Sequence, residues 1–145
     1  MKIETKYHGL IEIRGEEVLR FPNGIPGFVD EKEFAIIPFT EEGTFYILQS
    51  VQTSELGFVM TNPFTFYPDY DFNLENQAVD TLELDSPEDV TVYTVLTMAD
   101  PFNKTTANLQ APVVVNVKKK LGKQVILTGS PYQTKHNLFS EMIAK

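Results

Sequence analysis

Apolar residues in this chain come in short runs, and each run is soon closed by a glycine, a proline or a polar cluster. That pattern constrains the fold more than any other feature, because it denies the chain a long helix and suits many short strands. Ten strands are expected, at 2–6, 10–13, 17–21, 34–39, 45–51, 57–62, 90–98, 106–109, 113–118 and 124–128. In the run 90–98 a period of two puts Val90, Val92, Leu96 and Met98 on one face. Val113, Val114 and Val115 are apolar at consecutive positions, so this strand should be covered on both sides. Lys118, Lys119 and Lys120 with Gly122 read as a tight hairpin leading into Gln124–Leu127. Helix is scarce. Residues 73–84 place Leu74, Ala78 and Leu82 at helical spacing, and Ser86-Pro87 reads as a cap and first residue of a single turn. Leu138, Phe139, Met142 and Ile143 fit either a short amphipathic helix or a loose tail. The expectation is an all-β, small β-barrel-like domain or a strongly bent sandwich, with one or two short helical segments, in one domain over 1–145.

The residues available for chemistry are few. The chain lacks cysteine, which excludes disulfides, thiolate metal sites and a cysteine nucleophile, and it has only two histidines, His8 and His136. Neither sits in a recognisable catalytic context. Asp69/Asp71 and Glu88/Asp89 are paired carboxylates, but acid–base work needs one of a pair desolvated, and nothing around them suggests burial. Asp69-Tyr70-Asp71-Phe72-Asn73 has alternating oxygens without the central glycine or the closing glutamate of a calcium loop. The expectation is no enzyme, no catalytic residue, no metal and no cofactor. No uncharged stretch is long enough for a membrane helix, and the first residues lack the apolar core of a signal peptide. A soluble cytoplasmic protein is expected.

Charge is distributed unevenly. Residues 33–103 hold 13 acidic side chains and no lysine, arginine or histidine, whereas residues 104–145 hold seven lysines and one glutamate. Such a stretch must present an acidic face unless the later lysines fold back over it. An acidic face repels phosphate and so disfavours direct nucleic-acid binding, while it speeds encounter with a basic protein.

Three stretches stand out. Phe21-Pro22-Asn23-Gly24-Ile25-Pro26-Gly27-Phe28 is glycine-rich without the lysine of a phosphate loop. It reads as a type II turn on Pro26-Gly27, anchored by Phe21, Ile25 and Phe28. The polar stretch 100–112 either satisfies bent backbone or presents a recognition loop. Phe64-Thr65-Phe66-Tyr67-Pro68-Asp69-Tyr70-Asp71-Phe72 mixes five aromatic rings with acids and a proline. Either the rings cap an open end of the barrel, or they form an aromatic anchor patch rimmed by negative charge. On the second reading Asp69, Tyr70, Asp71 and Phe72, with Glu75, Phe102 and Asn103, lie on a surface that grips a basic partner.

The Phe21–Phe28 stretch, Leu48-Gln49-Ser50, Phe58-Val59-Met60-Thr61-Asn62-Pro63, Leu96-Thr97, the segment Thr106–Asn116 and Gln124-Val125-Ile126-Leu127 together resemble the FliW family of flagellar assembly factors. The resemblance implies a β-barrel-like protein without enzymatic activity. It also implies two protein partners: CsrA, a basic RNA-binding translational repressor that is kept from silencing flagellin mRNA, and flagellin, held as by a chaperone, which displaces CsrA. Which surface meets which partner does not follow from it. The contrasting expectation is a barrel that holds a small ligand, against which stand the bulky interior candidates Phe34, Ile36, Tyr46 and Leu48.

Overall fold

The computed structural model describes residues 1–139. Its strands are β1 (Lys2–Thr5), β2 (Gly9–Glu12), β3 (Val18–Arg20), β4 (Glu33–Pro38), β5 (Phe45–Ser50), β6 (Gly57–Thr61), β7 (Val90–Thr97), β8 (Thr106–Ala107), β9 (Val113–Asn116), β10 (Leu121–Gln124) and β11 (His136–Asn137). Two short helices, α1 (Pro63–Phe66) and α2 (Asn76–Thr81), fall between β6 and β7. β3 to β7 pair in sequence order as an antiparallel meander. β9 pairs with the first half of β7, β10 pairs with β9, and β10 meets β3 in a parallel contact. The circuit β3–β4–β5–β6–β7–β9–β10 closes into a seven-strand barrel. β8 and β11 extend the sheet from the far end of β7, and β1–β2 form a separate hairpin.

Period two sorts the side chains. Phe34 and Ile36, Leu48, Phe58 and Met60, Tyr93 and Val95, and Val113 and Val115 point to one cluster with Leu19, Phe21 and Ile25, and this cluster fills the barrel. Their neighbours point outward into three smaller clusters. Ala35 lies under the β1–β2 hairpin with Ile3 and Ile13. Val114 and Leu121 lie under Ala78 of α2 and Leu82 at its end, and Ile47, Val59 and Leu96 lie under an aromatic layer. Val113–Val115 is thus covered on both sides, as its continuous apolar run requires.

The strand read at 124–128 lies earlier, at 121–124. The hairpin turn occupies 117–120, with Lys120 in the left-handed region at φ 58°. Gly122 is no turn residue: it pairs with Val115, and a Cβ there would stand 2.4 Å from the Phe21 ring. The turn is set by Asn116, whose Oδ1 accepts the amides of Lys118 and Lys119. Beyond β10 the chain still docks, through the Val125 amide to Pro112 and the Leu127 amide to Gln110. The face shared by Val90, Val92 and Leu96 is the outer one, and Met98 is exposed beyond the strand's end. The helix read over 73–84 is shortened to Asn76–Thr81, with Leu82 as its buried C-terminal cap. Ser86 caps its single turn by accepting the Glu88 amide. Of the tail read as helix or loose chain, Met142 and Ile143 lie outside the described residues; Leu138 is buried in the aromatic layer.

The Phe21–Phe28 stretch does form the expected turn: Phe28 donates its amide to the Ile25 carbonyl, with Gly27 at φ 89°. Phe21 and Ile25 are buried, but Phe28 is exposed and rests edge-on against Phe58.

Candidate protein-interaction surface

The aromatic stretch lies outside the barrel. Asn62 caps α1 by accepting the Phe64 amide at 2.9 Å, Pro63 takes the first helical position, and the helix ends after one turn. Pro68 accounts for that stop, because it disfavours helical backbone at Tyr67, which sits at φ −131°, ψ 80°. A turn at Pro68-Asp69, closed by the Tyr70 amide on the Tyr67 carbonyl, then leads into a stretch over 71–75 that runs without turn or bend to α2.

Three phenols fix this segment. The Tyr70 hydroxyl donates to the Leu109 carbonyl at 2.7 Å, and its ring stands edge-on to Tyr132 at 4.7 Å. The Tyr67 hydroxyl donates to the carbonyls of Asn137 and His136 at 2.8 and 3.2 Å. The Tyr132 hydroxyl accepts the Asp71 amide at 3.0 Å. Burial pushes the Tyr67 phenol up to about 12 and raises Tyr70 further, with Tyr132 adding to the Tyr70 rise.

The seven expected contact residues separate. Tyr70, expected at the surface, is instead 4% exposed, because its ring packs on Tyr132 and its hydroxyl reaches the Leu109 carbonyl; it supports the segment from beneath and is not a contact residue. Asp69, Asp71 and Glu75 are exposed, Phe72 is half-buried against Tyr70, and these lie together along the segment. Phe102 and Asn103 are also exposed, but they belong to a second group of rings. There Phe102 packs edge-on against Phe45 and Phe139, and Phe66 faces Phe45 and Phe139 in turn. α1 bridges the groups, since Phe66 belongs to the second while Phe64 touches Tyr70 of the first.

Electrostatics distinguish the two ends of the acidic run. Lys119, on the β9–β10 hairpin, folds back to Asp85 at 3.2 Å and Glu83 at 3.7 Å. Among the described residues no cation pairs with Asp69, Asp71 or Glu75. The acidic face therefore survives around 69–75 and is partly neutralised near 83–85.

Phe72 stands between two open grooves. One, of about 490 Å³, is apolar and lined by Phe64, Phe72, Leu74, Leu84, Val90 and Val92, with Asp71 and Asp85 at its rim. The other, of about 350 Å³, runs from Phe72 and Glu75 to the 125–132 loop and Tyr132. From the sequence Leu74 reads as a helix residue and Val90 and Val92 as one strand face, and neither these three nor Tyr132 reads as lining a surface groove. The signal in the sequence is the polar–apolar alternation of Asp71-Phe72-Asn73-Leu74-Glu75, which the helical spacing of Leu74, Ala78 and Leu82 masks.

The other candidate features are structural. Of the paired carboxylates, Asp69, Asp71 and Glu88 are exposed and Asp89 is half-buried. His136 Nε2 accepts the Gln133 amide, and His8 lies at the surface near the Phe39 carbonyl. In the 100–112 loop the polar groups satisfy backbone: Asn108 Oδ1 accepts the Ala111 amide, and Thr105 Oγ accepts the Ala99 amide. Among the described residues no three His, Asp or Glu side chains gather to hold a metal, and no helix is long and apolar enough to cross a membrane.

A closed seven-strand barrel with its interior filled by side chains and its open grooves on the outside defines the class: a small, packed β-barrel. The chain belongs to the FliW family: the family model described as FliW protein matches residues 2–138. It is 54% identical over 145 residues to the flagellar assembly factor FliW of Geobacillus thermodenitrificans, covering the whole of both chains. With the FliW of Bacillus subtilis it shares 47% over 141 residues, covering 97% of this chain and 99% of the other. A crystal structure of the flagellar assembly factor FliW superposes with a TM-score of 0.91 at 52% identity, covering 95% of this chain and 96% of that one.

Proposed function

We propose that this chain is a non-catalytic, cytoplasmic regulator of flagellar assembly. It binds the basic translational repressor CsrA, relieves repression of flagellin mRNA, and releases CsrA when free flagellin takes its place. The observation that carries the reading is the outer surface around 69–75, where three exposed carboxylates, with no cationic partner among the described residues, lie along the same segment as a half-buried phenylalanine. Aromatic area with an acidic rim is complementary to a basic protein: the ring supplies contact at low rotamer cost, and the acids govern encounter rate. The same acids oppose RNA, so the protein acts on the repressor rather than on the message. Asp69, Asp71, Phe72 and Glu75 are the proposed contacts, with Phe102 and Asn103 on the adjoining ring group.

The contrasting reading, a barrel with a small ligand inside, has against it an interior in which Phe34, Leu48, Met60 and Val113 are wholly buried and in mutual contact. The test is binding of purified CsrA and of purified flagellin to this chain, each alone and then in competition. Binding of both, with flagellin displacing CsrA, is expected. Failure of either to bind at micromolar concentration overturns the reading.

A further inference from the structure

Residues 71–75 have the properties of a strand that lacks a neighbour among the described residues. The stretch is free of turns, and its exposure alternates: Asp71, Asn73 and Glu75 face solvent, while Phe72 and Leu74 are half-buried against the body of the protein. Among the described residues, the main-chain amides of Phe72, Asn73, Leu74 and Glu75 and the carbonyls of Asp71 to Leu74 make no hydrogen bond. An extended chain directs its amides alternately to its two sides. The Asp71 amide points at the Tyr132 hydroxyl. On that alternation the amides of Phe72 and Leu74 fall on the side away from Tyr132, and the apolar groove that these two residues line with Leu84, Val90 and Val92 does not include Tyr132. Unpaired edge backbone beside an apolar groove is a template for strand addition.

We infer that 71–75 is a docking edge for an extended peptide segment that alternates apolar and basic residues, added as a strand on the Phe72–Leu74 side. Its main chain pairs with the free amides and carbonyls. Its apolar side chains enter the groove beside Phe72 and Leu74, and its basic side chains lie level with Asp71, Asn73 and Glu75. The alternation of this chain's own residues sets that pattern, since paired strands place like-facing side chains side by side. The inference rests on the reading of this surface as the partner site and adds the form that the partner takes there.

The test uses the intact protein and three blocked heptapeptides: alternating lysine–valine, alternating glutamate–valine, and a lysine–valine isomer with its valines grouped. Amide hydrogen exchange is followed residue by residue by NMR. The alternating lysine–valine peptide should protect Phe72 and Leu74 more than Asn73 and Glu75, and the other two should bind at least tenfold more weakly. The pair Asp71→Lys and Glu75→Lys should lower affinity for the first peptide about tenfold, as removal of complementary charge predicts. N-methylation of alternate peptide amides should abolish binding in one register and spare it in the other. Binding insensitive to both methylation registers, or without protection at Phe72 and Leu74, overturns the inference in favour of a helix or a small ligand in the groove. Protection that depends on protein concentration without peptide overturns it in favour of a second copy of this chain. If no peptide binds while the charge variants still weaken CsrA, the inference falls and the partner reading stands. If the peptide binds as stated while CsrA ignores these variants, the inference stands and the assignment of this surface to CsrA falls.

Discussion

The barrel interior and the outer segment 62–75 are both rich in aromatic rings, and they are held in place by different physics. Inside, Phe21 and Phe34 meet edge to face at 5.0 Å, both fully buried, and no polar atom is needed to position them. Outside, the tyrosines among the rings are fixed by their hydroxyls: Tyr67, Tyr70 and Tyr132 each hold a main-chain group of another segment. The interior is therefore specified by volume and the outer layer by directional bonds. A volume-filled core has no room to bind, whereas a layer pinned by a few hydroxyls leaves nearby backbone and carboxylates open to a partner.

The largest effect that separates the regions is truncation inside. Phe34→Ala should cost about 3–5 kcal/mol, the range for deleting a buried ring whose surroundings relax only in part. Phe64→Ala, at a ring 43% exposed outside, should cost well under half of that. Denaturant unfolding of both variants measures the ratio, and equal losses would abolish the distinction between a packed interior and a loosely covered exterior.

Overfilling tests the same interior from the other direction. Gly122→Val places its Cβ against the Phe21 ring and should destabilise by about 1–3 kcal/mol, the usual cost of forcing extra methyl groups into a full core. An unchanged denaturation midpoint would mean that Phe21 can move aside.

These two regions also differ in how far they could be read in advance. The barrel was legible because period two governs it directly: Phe34, Leu48, Val113 and Val115 fall where alternation puts them. The β10 register was not, because Gly122 resembles a turn glycine and only the approach of Phe21, distant in sequence, makes it a strand residue. In the outer layer the acids at 69, 71 and 75 were legible as solvent-facing. Tyr70 was not, since its burial depends on Tyr132 and on the Leu109 carbonyl, contacts across long loops. Local pattern yields strands and charge; it does not tell which aromatic of a mixed segment turns inward.

Removing a single hydroxyl sharpens the contrast. Tyr70→Phe keeps the ring and leaves the buried Leu109 carbonyl without its donor, at a cost of about 1–2 kcal/mol. Thermal unfolding should register that loss. No loss at all would make the outer layer another volume-filled core.

Alkaline pH addresses the same hydroxyls together. Burial raises the folded-state phenols of Tyr67, to about 12, and of Tyr70; in Tyr93 burial acts first and the neighbouring Tyr46 adds to it. Phenols of the unfolded chain ionise near pH ~10. Above that pH the unfolded chain gives up protons that the folded one keeps. Stability is therefore full below about pH 10 and falls as pH rises towards about 12. Tyrosinate absorbance and circular dichroism, followed together through that range, should show these phenols ionising as the protein unfolds. Ionisation of all six tyrosines near pH ~10 in a protein that is still folded would contradict the burial.

The smallest expected effect on folding belongs to a residue expected to act on encounter. Asp69 is exposed on the turn before the extended stretch and has no cationic partner among the described residues. Asp69→Lys should leave stability within about 0.5 kcal/mol of the parent, as surface changes away from special features do. The same change replaces attraction by repulsion at the rim of the proposed partner surface. Association with CsrA should slow and its dependence on salt should flatten, while dissociation changes little, because rim charges act on encounter more than on the docked contacts. Stopped-flow association at low and at physiological salt separates the two. If the folded variant associates at the parental rate at both salt concentrations, Asp69 lies outside the encounter surface, and the boundary between supporting and binding residues must be drawn nearer to Asp71.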